Sequence, residues 1–226
     1  HNGEKFDADD VVYTLTYISN PENGAKPARN VNWWDSAEKL GDYKVRLNLT
    51  KEFPAALEFL SGPIVMYPNE YYAEVGPEGM AMKPVGTGPY AVTSVEPGKR
   101  YKFKKNNNYH ASSPKGQANI GNIVIRTIAE SNTQLAELFS GGVDWIWKVK
   151  PDQAQRISAQ GQFTVKNAST MRIGYLNFDA MGRHSENPMN DVRVRRAIAH
   201  AIDRESIVNA LVGGESIVVH SLCFPS

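Results

Sequence analysis

Residues able to do bond-making chemistry are sparse and scattered in this chain. Its five histidines, His1, His110, His184, His200 and His220, stand apart from one another. None lies at the i, i+2 or i, i+4 spacing that puts two imidazoles on one metal, and none pairs with a cysteine at ligand spacing. The single cysteine, Cys223, has no partner for a disulfide and no nucleophile signature around it. No Gly-x-Ser-x-Gly elbow is present. Gly86-Thr-Gly88 lacks both dinucleotide-fold spacing and a phosphate-loop lysine. The acidic run Asp7, Asp9, Asp10 is explained by helix capping and the helix dipole before any cation is invoked. No metal or cofactor is implied, and nothing speaks for an enzyme.

The aromatic residues point to binding rather than reaction. Trp33 and Trp34 are adjacent at the end of a polar loop, so both are not expected to enter one core, and one or both become candidates for a ligand cleft. Trp145 and Trp147 alternate along an expected strand, the ordinary pattern of core packing. Lys99 to Lys105 interleaves basic residues with Tyr101 and Phe103. That reads as a strand with the two rings inward and the lysines solvated. With 25 basic and 24 acidic residues and a net charge of +1, a nucleic-acid partner is not expected.

Elements that would position these residues follow from capping, periodicity and turn chemistry. Asp7 caps a helix carrying Val11, Val12, Leu15 and Ile18 on one face, stopped at Asn20-Pro21. Residues 22–32 form a polar loop. Tyr43–Leu49 alternates as a half-buried strand. Short helices are expected over Pro54–Leu60 and Pro68–Val75, with a brief extended piece at Val65–Tyr67. Pro84-Val-Gly-Thr-Gly-Pro-Tyr90 is a tight turn. It opens a hairpin of Tyr90–Val95 and Arg100–Lys105 joined by Glu96-Pro-Gly98. Further strands are expected at Ile120–Ile128, Val143–Val149 and Met171–Phe178. Helices are expected at Ser131–Phe139, closed by Gly141-Gly142, and at Pro151–Gln160. Two more should lie within Asn190–Val212, divided near Asp203. Alternating strands and helices indicate an α/β protein with mixed sheets and flanking helices. No apolar run approaches a membrane span. The chain reads as a piece of a larger protein, so a removed leader would leave no trace in it.

Five landmarks occur in a telling order. They are His1-Asn-Gly-Glu-Lys-Phe-Asp-Ala-Asp-Asp-Val-Val, Pro84-Val-Gly-Thr-Gly-Pro-Tyr, Phe139-Ser-Gly-Gly-Val-Asp, Tyr175-Leu-Asn-Phe, and Asp191-Val-Arg-Val-Arg-Arg-Ala-Ile-Ala-His-Ala-Ile-Asp-Arg. Together they resemble the family 5 extracellular solute-binding proteins, the dipeptide, oligopeptide and nickel receptors of bacterial ABC importers. The resemblance implies a type II periplasmic-binding-protein-like fold. Residues 1–83 would be the small extra subdomain of the first lobe, 84–207 the central ligand-binding part of that lobe, and 208–226 the start of the second. It also implies a non-catalytic receptor, periplasmic or extracellular and monomeric when intact. That receptor delivers a short peptide or similar small solute to an ABC permease in the membrane. Nickel chelates, opines and oligosaccharides are alternative solutes. The ligand-sensing domain of a transcriptional regulator is an alternative setting. Carried over residue by residue, the cleft-facing positions are Arg29, Asn32, Trp33, Trp34, Tyr67, Asn177 and Phe178. Here Pro27 is followed by Ala28, where peptide-binding relatives often carry an aromatic residue.

Overall fold

The computed structural model describes residues 1–24, 30–168, 170, 172–184, 186–212 and 216–220. They divide into two compact units, His1–Ala129 and Glu130–Ser226.

In the first unit, α1 (Ala8–Ser19) begins where the sequence expects it. The Asp7 side chain accepts the Asp9 amide, and Asp10 accepts the Asp7 amide at 2.8 Å, a reciprocal box at the helix start. β1 (Trp34–Gly41) and β2 (Lys44–Leu49) pair antiparallel beside it. α2 (Ala56–Ser61) follows, then α3 (Asn69–Met82). The sequence reading ends that last helix at Val75. Instead the chain bends at Gly76, whose φ of 66° only glycine adopts without cost, and resumes helical structure after Pro77.

Past the Gly-Pro turn, β3 (Tyr90–Glu96), β4 (Arg100–Lys105) and β5 (Asn122–Arg126) form an antiparallel sheet in that order. Gly98, at φ 72°, allows the tight β3–β4 connection. Tyr101 and Phe103 are half-buried on β4 while Lys102 and Lys104 face solvent, the alternation expected from their types.

The core of this unit is aromatic and includes both neighbouring tryptophans. Trp33 and Trp34 are buried with Leu15 and Ile64, and Phe53, Phe59 and Met66 pack around them. The expectation that adjacent tryptophans could not share one core is therefore corrected. Trp33 precedes β1 and escapes strand alternation, and the ladder is irregular between Trp34 and Ser36. The two rings meet edge-to-face at 4.7 Å, and Trp33 stacks on Phe53 at 4.7 Å.

In the second unit, α4 (Ser131–Phe139) and α5 (Pro151–Ala159) supply its buried apolar residues, Leu135, Leu138 and Ile157. Buried Gln153 of α5 reaches Asn132 of α4. Gly141 takes φ 76° as α4 ends, as its position after the helix requires. α6 (Val192–Ala201) and α7 (Arg204–Ile207) are capped by Asp191 and Asp203, and a single wide turn over Val208–Val212 follows. The division at Asp203 is the one the sequence indicates.

Two expected strands of this unit do not form among its described residues. Over Val143–Val149, the residues turned inward are Val143, Ile146 and Val149. That is a period of three, not two. Lys148 takes a positive φ of 58°, which no strand residue does. Trp145 and Trp147 consequently stand exposed, at 75% and 64%, and the expectation that they are core is corrected. Residues 172–178 carry no ladder either, and Tyr175 and Leu176 are exposed.

Candidate functional site

The first-unit candidates sit on or against the tryptophan core. Asn32 is exposed at the mouth of the loop. Trp33 and Trp34 lie beneath it with no free donor. The Trp33 indole N–H donates to the Asn30 carbonyl at 2.9 Å, and that of Trp34 donates to the Leu15 carbonyl at 3.3 Å. In these positions they support the loop rather than line a surface. Arg29 lies outside the described residues.

Ile64 and Met66 join the same core, which brings the 64–67 segment to it. Tyr67 is half-buried, and its ring packs on Tyr72 at 4.7 Å. Tyr72 in turn touches Tyr13 and Tyr17 of α1, forming a four-tyrosine cluster. Burial, together with a hydrogen bond to Tyr17, pushes the Tyr72 phenol up to about 12.

Two residues that are not among the candidates, Thr14 and Asp10, set this segment in place. Thr14 is fully buried. Its hydroxyl accepts the Tyr67 amide at 2.9 Å and donates to the Tyr67 carbonyl at 3.4 Å. Asp10, 3% exposed, accepts the Asn69 amide at 2.9 Å with the oxygen that Asp7 leaves free. The signal available was the acidic residue three positions after a helix cap. Capping and dipole complementarity at its own helix are half of what Asp10 does.

The Gly-Pro turn is held by the start of the chain. The Gly86 amide donates to His1 Nδ1 at 3.3 Å, and His1 Nε2 lies 2.9 Å from the Gly88 carbonyl. One proton on Nε2 satisfies both contacts. A cavity of about 30 Å³, room for a single water, lies between His1, Phe6, Met66 and Val85.

Asn177 and Phe178 belong to the second unit. Asn177 is exposed and Phe178 half-buried. Asp179 opens a turn, its carboxylate accepting the Met181 amide and the Arg183 guanidinium. A shallow depression of about 580 Å³ is lined by Val149, Ala154, Ser158, Ala159, Val165 and Asn167. None of the described candidate residues borders it or the small cavity. Among the described residues, no group of three or more His, Cys, Asp or Glu side chains could hold a metal ion. No helix among them is long and apolar enough to cross a membrane.

A family model described as bacterial extracellular solute-binding proteins, family 5, middle, matches residues 1–226. An ABC transporter peptide-binding protein of Brucella ovis is 25% identical over 221 residues, covering 95% of this chain and 40% of that protein. The structure of NikZ from Campylobacter jejuni in complex with Ni(L-His) is 26% identical. It superposes with a TM-score of 0.75 over 93% of this chain and 41% of its own. The ABC transporter substrate-binding protein CtaP of Listeria monocytogenes, 21% identical, superposes with a TM-score of 0.80 over 94% of this chain and 43% of its own. The chain spans about 40% of the length of the curated relatives it matches.

Proposed function

The chain belongs to the family 5 bacterial extracellular solute-binding proteins and has the mixed α/β fold of its structural neighbours, the type II periplasmic binding proteins; from that premise we propose what the whole protein does. It is a non-catalytic receptor outside the cytoplasm. It captures a short peptide or similar small solute between two lobes and hands it to the membrane permease of an ABC importer. The observation that carries this reading is the family match along all 226 residues, with a relative named for peptide binding. In such a device the ligand biases an open–closed equilibrium, and only its preference for the closed state does work.

Residues 1–83 form the small subdomain in this reading. Residues 84–207 form the central part of the first lobe, and 208–226 begin the second. Asn32, Tyr67, Asn177 and Phe178 contact the ligand, and Arg29 pairs a carboxylate on it. Trp33 and Trp34 belong to the same site as its floor, fixing the loop from below. The intact receptor is a monomer, periplasmic or extracellular, and meets the membrane through its transporter.

Calorimetry of the full-length protein with di- to pentapeptides, and separately with nickel–histidine, tests the reading. Saturable heat with peptides is expected. Heat with nickel–histidine, an opine or an oligosaccharide alone would keep the receptor and remove the peptide. Turnover of a bound peptide would remove the receptor.

A further inference from the structure

The backbone from Tyr67 to Asn69 belongs to no strand, and α3 starts at Asn69 behind Pro68, which has no side-chain donor or acceptor to cap it. Backbone groups in such a place need partners from elsewhere. They come from one face of α1. Thr14 serves both the amide and the carbonyl of Tyr67, 53 residues away. Asp10, one turn earlier, serves the Asn69 amide, 59 residues away, while also closing the box at its own helix start. One carboxylate thus caps two helices. Asp10 and Thr14 are both buried, and every buried side-chain polar atom among the described residues has a partner.

We infer that Thr14, assisted by Asp10, is a positioning residue for ligand capture that acts through Tyr67. The clamp fixes the peptide planes on either side of Tyr67 and therefore the direction of its Cα–Cβ bond, and packing on Tyr72 completes the placing of the ring. That ring leans on Tyr72 and keeps part of its surface open. A ring that the ligand must order on binding costs side-chain entropy, and one already held does not. Replacing the hydroxyl by a methyl of the same shape removes the acceptor of the partly buried Tyr67 amide, and the segment must move to find water. This inference rests on the receptor reading above, and specifically on Tyr67 touching the ligand.

The test is a double-substitution cycle in the full-length protein, read by calorimetry with trialanine, trileucine and nickel–histidine as probes. Thr14→Val is expected to weaken binding of the bound probe about tenfold, a loss of about 1.4 kcal/mol. Thr14→Ser, which keeps the hydroxyl, should restore affinity to within about twofold of the parent. In the Tyr67→Ala background, Thr14→Val should have no further effect on affinity, because the ring that the clamp positions is gone even though the backbone amide and carbonyl remain. Amide hydrogen exchange at Tyr67 in the ligand-free protein should rise in Thr14→Val and not in Thr14→Ser. Full affinity in Thr14→Val would overturn the inference. So would losses from Thr14→Val and Tyr67→Ala that simply add, since Thr14 would then act on the fold at large. Failure of the parent protein to bind any of these probes would overturn the short-peptide reading on which the inference rests, and that failure is seen before any variant is made.

Discussion

Two pairs of closely spaced tryptophans meet opposite fates in this chain. Trp33 and Trp34 are sealed in the first unit, while Trp145 and Trp147 stand in solvent in the second. The residue type is the same, so the difference lies in what surrounds it. The first pair is enclosed by α1, a strand pair and two phenylalanines, and both indole N–H groups find carbonyls. The second pair sits on an irregular segment with no ladder partner, and Lys148 lies over the Trp147 face at 5.0 Å. A tryptophan's burial is a property of the elements that converge on it, and local pattern alone does not supply them.

The sharpest way to break that contrast is truncation. Trp33→Ala should cost about 3–5 kcal/mol of stability, as removal of a large buried ring does. Trp145→Ala in the same 226-residue chain should stay within about 0.5 kcal/mol. Urea unfolding followed by circular dichroism measures both, and equal costs would dissolve the distinction.

Alkaline titration comes next. The Tyr72 phenol is held up to about 12 in the fold, against about 10 in an unfolded chain. Between those values the unfolded state has lost the proton that the folded state keeps. Stability is therefore fully present below about pH 10 and falls as pH rises toward 12. The first unit should loosen in that window, seen as hydrogen exchange spreading through α1 and α3 ahead of α4 and α5. Tyr72→Phe should remove most of the dependence, leaving the part due to Tyr13, whose phenol burial also raises.

A smaller effect is expected at Lys148. Its left-handed backbone costs about 1–2 kcal/mol, and glycine there costs about 0.5–1 kcal/mol in the unfolded chain. Lys148→Gly should thus gain about 0.5–1 kcal/mol in thermal unfolding. A loss would mean that the lysine's place over Trp147 outweighs its backbone.

The smallest effect is at the helix starts of the second unit, at the acid end. Hydrogen bonds and, for Asp191, the Arg193 guanidinium hold the carboxyls of Glu130, Asp191 and Asp203 below their usual range. Their stabilisation is present above the unfolded value of about 4 and disappears as pH falls through the lower folded values. These groups are exposed and cap α4, α6 and α7. The loss of helix signal on acidification should be slight and should shrink further in high salt.

Local signals were legible in the sequence and convergent ones were not. The Asp7 and Asp203 caps, the β3–β4 connection at Gly98 and the α4 stop at Gly141 depend on a few neighbouring residues. Each was readable where it stands. β1 was not recognised, because Trp34-Asp-Ser-Ala-Glu-Lys-Leu-Gly41 is too polar to announce a strand, and its pairing comes from β2. The two strands expected in the second unit rested on alternation alone. In Val143–Val149 a single positive φ at Lys148 changes the period. For the site, Tyr67 could be named from resemblance, while Thr14 and Asp10 could not. A threonine and an aspartate on an amphipathic helix look like solvated positions until a segment more than fifty residues later folds over them.

That separation also sets an order of assembly. At a synthesis rate of about 5–20 residues per second, Tyr67 and Asn69 leave the ribosome several seconds after α1. Through that interval α1 has its own cap but no partner for the Thr14 hydroxyl or for the second Asp10 oxygen. A helix made before its partners is finished only when they arrive. Until the chain reaches Asn69, the nascent protein shows a half-apolar, half-polar face to whatever waits at the tunnel exit.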